Sequence, residues 1–183
     1  MGRAYLFLAD GFEETEAITP ADLLRRAGVD VVLVSMNDTK TVIGSHQIMI
    51  SADAVFSQCS FDDAAVLILP GGKAGTENLE TNEALANLLL SAYRKGTTLA
   101  AICAAPRVLG RLGLLRGKKA CCYPGNEELL FDAEVVYTPV AVANGVITSR
   151  GMGTAFEFGL ALVSHLCGKD AAEAVARKTV YQA

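Results

Sequence analysis

The stretch AAICAAP (residues 100–106) sets a single thiol, Cys103, among small residues, between an apolar run and a proline. A thiol placed where a strand breaks abruptly into a helix sits on a tight elbow, and such a turn demands small neighbours. Ala101, Ala104 and Ala105 meet that demand. The positive end of a following helix favours thiolate over thiol, so the chemistry to expect is nucleophilic attack or oxidation at sulfur. The backbone amide of Ala104, together with that of Gly72 in the run PGG (70–72), could hold a developing oxyanion. Each such donor contributes roughly 3 kcal/mol. The plainer reading stands beside this one: a small buried cysteine is commonly an inert core residue.

A nucleophile needs a proton partner. The run DGFEETEA (10–17) offers three carboxylates, Glu13, Glu14 and Glu16. Of the two histidines, His46 falls in a small β excursion and His165 in the last amphipathic stretch. Neither is at a strand end, and both read as structural or surface residues. That leaves a carboxyl group. Glu16 could donate a hydrogen bond to a thiolate if burial raised its pKa. Equally, the three carboxylates suit a solvated loop that stabilises a helix N-terminus.

The elements that must position these groups follow from the hydrophobic pattern. Short apolar runs at 4–9, 29–36, 64–72 and 97–103 read as strands buried on both faces. Between them the pattern predicts helices at 19–28, with Thr19 as N-cap, Pro20 in the first position and Gly28 as the stop, and at 82–96 and 105–115. Residues 40–56 form a small β excursion, residues 118–149 are β-rich with a hairpin at Asn144-Gly145, and two helices at 153–167 and 169–179 close the chain. Alternating strands and helices predict an α/β, flavodoxin-like three-layer sandwich, a mostly parallel sheet with helices on both faces. Ligands in such folds bind at the carboxyl ends of the strands, where Glu16, Gly72 and Cys103 all lie.

Composition narrows the classes. With 183 residues, 51% hydrophobic and 20% charged, the chain fits one globular domain, 1–183. A net charge of −4 gives no attraction to nucleic acid or anionic lipid. No signal peptide or membrane-spanning run is visible, so a cytoplasmic protein is expected. The cysteines, Cys59, Cys103, Cys121, Cys122 and Cys167, are odd in number with no CxxC spacing, so free thiols and no metal site are expected. Adjacent Cys121 and Cys122 read as packing within a strand. No GxGxxG follows the first strand, and a nucleotide cofactor is disfavoured; no cofactor is expected.

Four collinear blocks, FEETEAI (12–18), VLILPGG (66–72), AAICAAP (100–106) and TSRGMGTAFEFGL (148–160), resemble the DJ-1/ThiJ branch of the DJ-1/PfpI superfamily over nearly the whole chain. The resemblance implies a flavodoxin-like homodimer. In it Cys103 matches the oxidisable elbow cysteine, Glu16 the protonated glutamate beside it, and Gly72 and Ala104 the amides around the sulfur. It also implies cofactor-independent action on 2-oxoaldehydes such as methylglyoxal, as glyoxalase or deglycase, or else a redox-sensing chaperone. Departures are visible. Ala104 stands where the protease-like branch has a histidine, so proteolysis is not expected. Tyr123 replaces the histidine of animal members, Gly44 and Ser51 fill the stretch of the auxiliary cysteine, and Met152 replaces a proline.

Overall fold

The computed structural model describes residues 2–182. In chain order it contains β1 (Arg3–Leu8), α1 (Glu14–Arg26), β2 (Val31–Ser35), β3 (Thr41–Ile43), β4 (Met49–Ser51), β5 (Ala54–Val55), β6 (Ala64–Leu69), α2 (Lys73–Glu80) and α3 (Glu83–Arg94). There follow β7 (Thr98–Ile102), α4 (Pro106–Arg111), β8 (Lys119–Ala120), β9 (Glu134–Val135), β10 (Val140–Ala143), β11 (Val146–Ser149), α5 (Ala155–Cys167) and α6 (Lys169–Lys178). A seven-stranded sheet runs β10-β11-β7-β6-β1-β2-β5. Within it every pairing is parallel except the β10–β11 hairpin. This is the α/β sandwich that the strand–helix alternation predicts.

Alternation along the strands divides the core in two. Ala4, Leu6 and Leu8 face the layer of α1, α5 and α6, where they meet Leu23, Phe158 and Leu162. Tyr5 and Phe7 face the opposite layer, with Leu79, Leu85, Leu89 and Leu109. Because both faces are covered, the central strands are apolar throughout and show no polar alternation. The order of strands matters more for function. After β1 the chain steps to β2 on one side, and it later returns with β6 on the other, so β1 and β6 flank the point where the winding reverses. The carboxyl ends of β7, β6 and β1, three neighbours in the sheet, carry Cys103, Gly71-Gly72 and the Glu13–Glu16 segment. A ligand site at such a switch point is the general rule for open α/β sheets.

Several element boundaries differ from the sequence expectation. Helix α1 begins at Glu14, not Thr19, and Pro20 lies inside it. Pro20 has no N–H to give the carbonyl of Glu16, a loss that burial of Ala17, Pro20, Ala21, Leu23 and Leu24 outweighs. Helix α5 crosses α1 at this point: a Cβ on Gly159 would lie 2.6 Å from Leu23 Cδ1 and 3.1 Å from Pro20 Cα. Helix α4 covers only Pro106–Arg111, shorter than 105–115, because Gly113 turns the chain at φ +70°. Helix α2, in KAGTENLE, went unassigned in the sequence pattern. Cys121 and Cys122 follow β8 rather than lying within it, both buried, the Cys121 thiol donating to the Thr148 carbonyl at 3.3 Å. Among the described residues, no helix is long and apolar enough to cross a membrane.

Gly159→Val tests the α1–α5 crossing. Overpacking against Pro20 and Leu23 is expected to cost about 2 kcal/mol, read as a lower urea midpoint with an unchanged denaturant slope.

Candidate active site

Cys103 follows β7 with φ +66°, the left-handed region that a residue with a Cβ rarely enters. Holding it there costs about 1–3 kcal/mol, and the surroundings fix it from both sides. Its N–H donates to the Ser149 carbonyl at 3.0 Å, and its carbonyl accepts from the Tyr123 N–H at 2.8 Å. The elbow is therefore clamped between the end of β11 and the loop carrying Tyr123. Ala104 and Ala105 keep the turn narrow, and the amides of Gly72 and Ala104 both hydrogen-bond the sulfur.

Glu16 reaches the same point from the first turn of α1. It is 1% exposed, and its Oε2 accepts from the Gly71 N–H at 3.0 Å. The Met152 amide also donates to it, and it is hydrogen-bonded to the Cys103 thiol. Any side chain at Gly71 would collide with Glu16 Oε2 and with Cys103 Cβ, so glycine is obligatory between the two. Gly72, at φ +90°, is obligatory for a different reason: a Cβ there would strike the Gly11 carbonyl. The loop bearing Met152 is secured by Thr154, whose Oγ1 accepts from the amides of Arg150 (3.2 Å) and Gly151 (3.1 Å).

The electrostatics depart from what the helix N-terminus alone predicts. Burial pushes the Glu16 carboxyl up to about 7, against the hydrogen bonds it receives. The Cys103 thiol is pushed up to about 12, first by burial and then by the charge of Glu16, against the amides of Gly72 and Ala104. Helix α4 has six residues and begins three positions beyond the sulfur, whereas the carboxylate touches it. The two groups are thus coupled through their protons: a charged Glu16 keeps the thiol protonated, and a neutral Glu16 removes that repulsion and can donate to sulfur.

The sulfur and Glu16 open onto a cavity of about 520 Å³. Its wall includes His46, although the sequence pattern puts that residue, like His165, away from any strand end. His165 is indeed remote from the sulfur, bonded through Nε2 to Thr98 Oγ1 at 2.8 Å. His46 is on the loop between β3 and β4 and rims the cavity, because Glu14 draws that loop inward. Glu14 Oε1 accepts from the His46 amide at 2.7 Å, and its Oε2 lies 3.1 Å from both Ser45 Oγ and His46 Nδ1. A side chain at Gly44 would collide with Glu14. Lys73 and Arg107 also line the cavity. Their signal was weak in the sequence, since each stands one residue beyond a recognised motif. Glu13, Glu14 and His46 bring ligand atoms within 4.8 Å of one another, a spacing a cation could bridge, although the same oxygens already accept hydrogen bonds from Ser45 and His46.

A model of the DJ-1/PfpI family matches residues 2–165. The chain belongs to the DJ-1/PfpI family. Protein dj-1beta of Drosophila melanogaster is 38% identical over 176 residues, covering 95% of this chain and 94% of that protein. The solved structure of an oxidised DJ-1 from Toxoplasma gondii superposes with a TM-score of 0.95 at 34% identity, covering 100% of both chains. A more distant relative, a protein of Pyrococcus abyssi named as a deglycase, is 31% identical over 153 residues, 82% of this chain and 91% of its own length. Within the DJ-1/PfpI frame, the three strand ends described above carry the cysteine, the carboxyl group and the two amides together.

The Glu14 contacts set a pH dependence. Burial pushes the Glu14 carboxyl up, but hydrogen bonds from its own amide, from the amide and ring of His46 and from Ser45 outweigh it and hold the group down at about 2. The stability this contributes is complete above about pH 4.5 and is lost as the pH falls towards 2. His46 is shifted up by its hydrogen bond to Glu14 and by the charges of Glu13 and Glu14, so its share is complete below its ordinary pKa and disappears as the pH rises through the raised value. Glu14→Gln is expected to lower thermal stability at neutral pH and to converge with the wild type in acid, measured by melting temperature across pH.

Proposed function

We propose that the protein acts on small reactive carbonyls of the 2-oxoaldehyde class, without a cofactor, as a glyoxalase or as a deglycase of early glycation adducts. The observation that carries this reading is the buried Glu16 carboxyl bonded to the Cys103 thiol at the floor of an open cavity, with two amides on the sulfur. The deglycase name of the Pyrococcus relative supports the same class of chemistry. In the reactive form the pair holds one proton, on Glu16, and the sulfur is anionic.

The Cys103 thiolate adds to the aldehyde carbon of the substrate, forming a carbon–sulfur bond, while the carbonyl oxygen takes the charge and faces the amides of Gly72 and Ala104. Glu16 protonates that oxygen to give a hemithioacetal. As a carboxylate it then removes the proton from the former aldehyde carbon and returns one to the neighbouring carbon, while the hydroxyl proton on the first carbon passes to the ketone oxygen. The first carbon is oxidised and the second reduced by two electrons, so no external oxidant is needed. Water cleaves the resulting thioester to a 2-hydroxy acid and restores the thiol.

A second reading rests on the oxidised state of the Toxoplasma relative. Cys103 would be oxidised by peroxide to a sulfinate whose oxygens accept from the Glu16 carboxyl and the two amides, making the chain a redox-sensing chaperone or stress protein. In both readings the five cysteines are unbridged, as a reducing cytoplasm would keep them. The chain pairs with a second copy in this reading, through the exposed apolar residues Ile48 and Met49 of the β3–β4 hairpin and Ile18 of the adjoining helix α1.

Cys103→Ser is expected to abolish conversion of methylglyoxal to lactate. Glu16→Gln keeps the nucleophile but should lose about 10²–10⁴-fold in kcat and shift the inflection near pH 7. Wild-type turnover by Cys103→Ala protein would defeat the enzymatic reading. Graded peroxide with mass spectrometry tests the sensor: Cys103 should gain two oxygens before Cys59 or Cys167 does. Sedimentation of an Ile48→Asp, Met49→Asp variant should report a monomer where the wild type is a dimer.

A further inference from the structure

We propose that the cavity over Cys103 recognises a negatively charged group on its ligand, a carboxylate or phosphate, through Lys73 and Arg107. Lys73, the first residue of α2, is exposed, lines the cavity and makes no ion pair among the described residues. Arg107, in the first turn of α4, lines the same cavity with its side chain only 14% exposed. Its Nη2 lies 3.3 Å from Glu80 Oε2, a long contact, while the other oxygen of Glu80 is 2.8 Å from Arg111 Nε. One carboxylate therefore serves two guanidinium groups, and a positive charge is left over. Arg107 Nε is buried and has no hydrogen-bond partner. An unsatisfied donor on a charged group is costly in a folded protein, and an oxyanion in the cavity would reduce the charge imbalance that the guanidinium carries there.

The acidic groups of the cavity do not cancel these cations. Glu13, which also lines the cavity, is engaged by the β3–β4 loop, where its Oε2 accepts from Ser45 Oγ at 3.0 Å and lies 3.6 Å from His46 Nδ1. Glu16 faces the sulfur. The α2–α4 side of the cavity is thus positive and the thiol lies beside it, so an electrophile with an anionic tail can set its carbonyl at Cys103 and its charge at Lys73 and Arg107. The substrate class that follows is a 2-oxoaldehyde bearing a carboxylate or phosphate beyond the ketone. That half of the inference rests on the carbonyl-enzyme reading; recognition of the anion does not.

The test separates the two. Iodoacetate and iodoacetamide each alkylate a thiolate with loss of iodide and differ in charge, so the ratio of their rates at Cys103, followed by mass spectrometry of its peptide, reports the local field without any turnover. Relative to a free small-molecule thiol, the wild-type ratio should favour iodoacetate by about tenfold, as a nearby unit charge in a partly open cavity predicts, and the preference should shrink in high salt. Lys73→Met and Arg107→Met should each move the ratio towards that of the free thiol, whereas Lys95→Met, which removes the same charge outside the cavity, should not. Lys73→Met alters an exposed position and carries the test if loss of Arg107 prevents folding. A ratio no higher than that of the free thiol, or one unmoved by the cavity variants, overturns the proposal. In kinetics, kcat/KM for a carboxylated or phosphorylated 2-oxoaldehyde relative to methylglyoxal should fall in the same two variants. Preference for iodoacetate with no turnover of any 2-oxoaldehyde would reject the enzyme and retain the anion site, and turnover without charge preference would do the reverse.

Discussion

One contact organises the molecule: a carboxyl group and a thiol, both withdrawn from water, share a boundary that tolerates a single negative charge. Burial raises the proton affinity of each, and each raises that of the other when charged. For Glu16 and Cys103 to meet, the first turn of α1 and the elbow after β7 must converge across the end of β6, and only glycine at position 71 leaves the space. The strand order β7-β6-β1 is what makes the convergence possible. The inner strands, apolar on both faces, hold those three ends in fixed register, and the cost of the strained backbone at Cys103 is offset by packing elsewhere.

The site is also built by what surrounds the pair. The amides of Gly72 and Ala104 favour charge on sulfur, whereas desolvation and Glu16 oppose it. The amides are not removable without rebuilding the turn, since they belong to the same short segments that place the sulfur. Glu14 acts differently. It stays charged because the hairpin loop surrounds it with donors, and in doing so it brings His46 to the cavity rim. Two carboxylates two residues apart thus have opposite protonation behaviour: hydrogen bonds outweigh desolvation at Glu14, and desolvation outweighs them at Glu16.

Much of this was legible in the chain. Apolar runs ending in Gly, Pro or Cys mark the strand ends, and the small residues of AAICAAP announce the tight turn, whereas the positive φ of Cys103 has no signal in the residue types. Glu16 was legible as a candidate but not separable from Glu13 and Glu14 by spacing, because its role depends on burial against Gly71, a contact 55 residues distant. The start of α1 was misplaced because Pro20 and Thr19 form a good local N-terminus, while the interaction that overrides them, the close approach of α5 at Gly159, is long-range. His46 was discounted for the same reason. Its loop has no intrinsic tendency towards the site and is drawn there by Glu14. Lys73 and Arg107 gave no pattern, since a cation is ordinary in the first turns of surface helices until a cavity is found between them.

The helix that carries Glu14 and Glu16 turns about 100° per residue, so the two side chains leave it on nearly opposite sides, one towards the hairpin and one towards the sulfur. The first turn of α1 therefore works as an indexing device. Its angular setting decides which glutamate is held charged by the hairpin loop and which is buried against the sulfur with its proton affinity raised, and the setting is fixed where Glu13 donates its amide to the Gly71 carbonyl at 2.9 Å. Inserting or deleting one residue between that anchor and Glu16 would leave the composition of the acidic run almost intact while rotating the wrong side chain to the thiol.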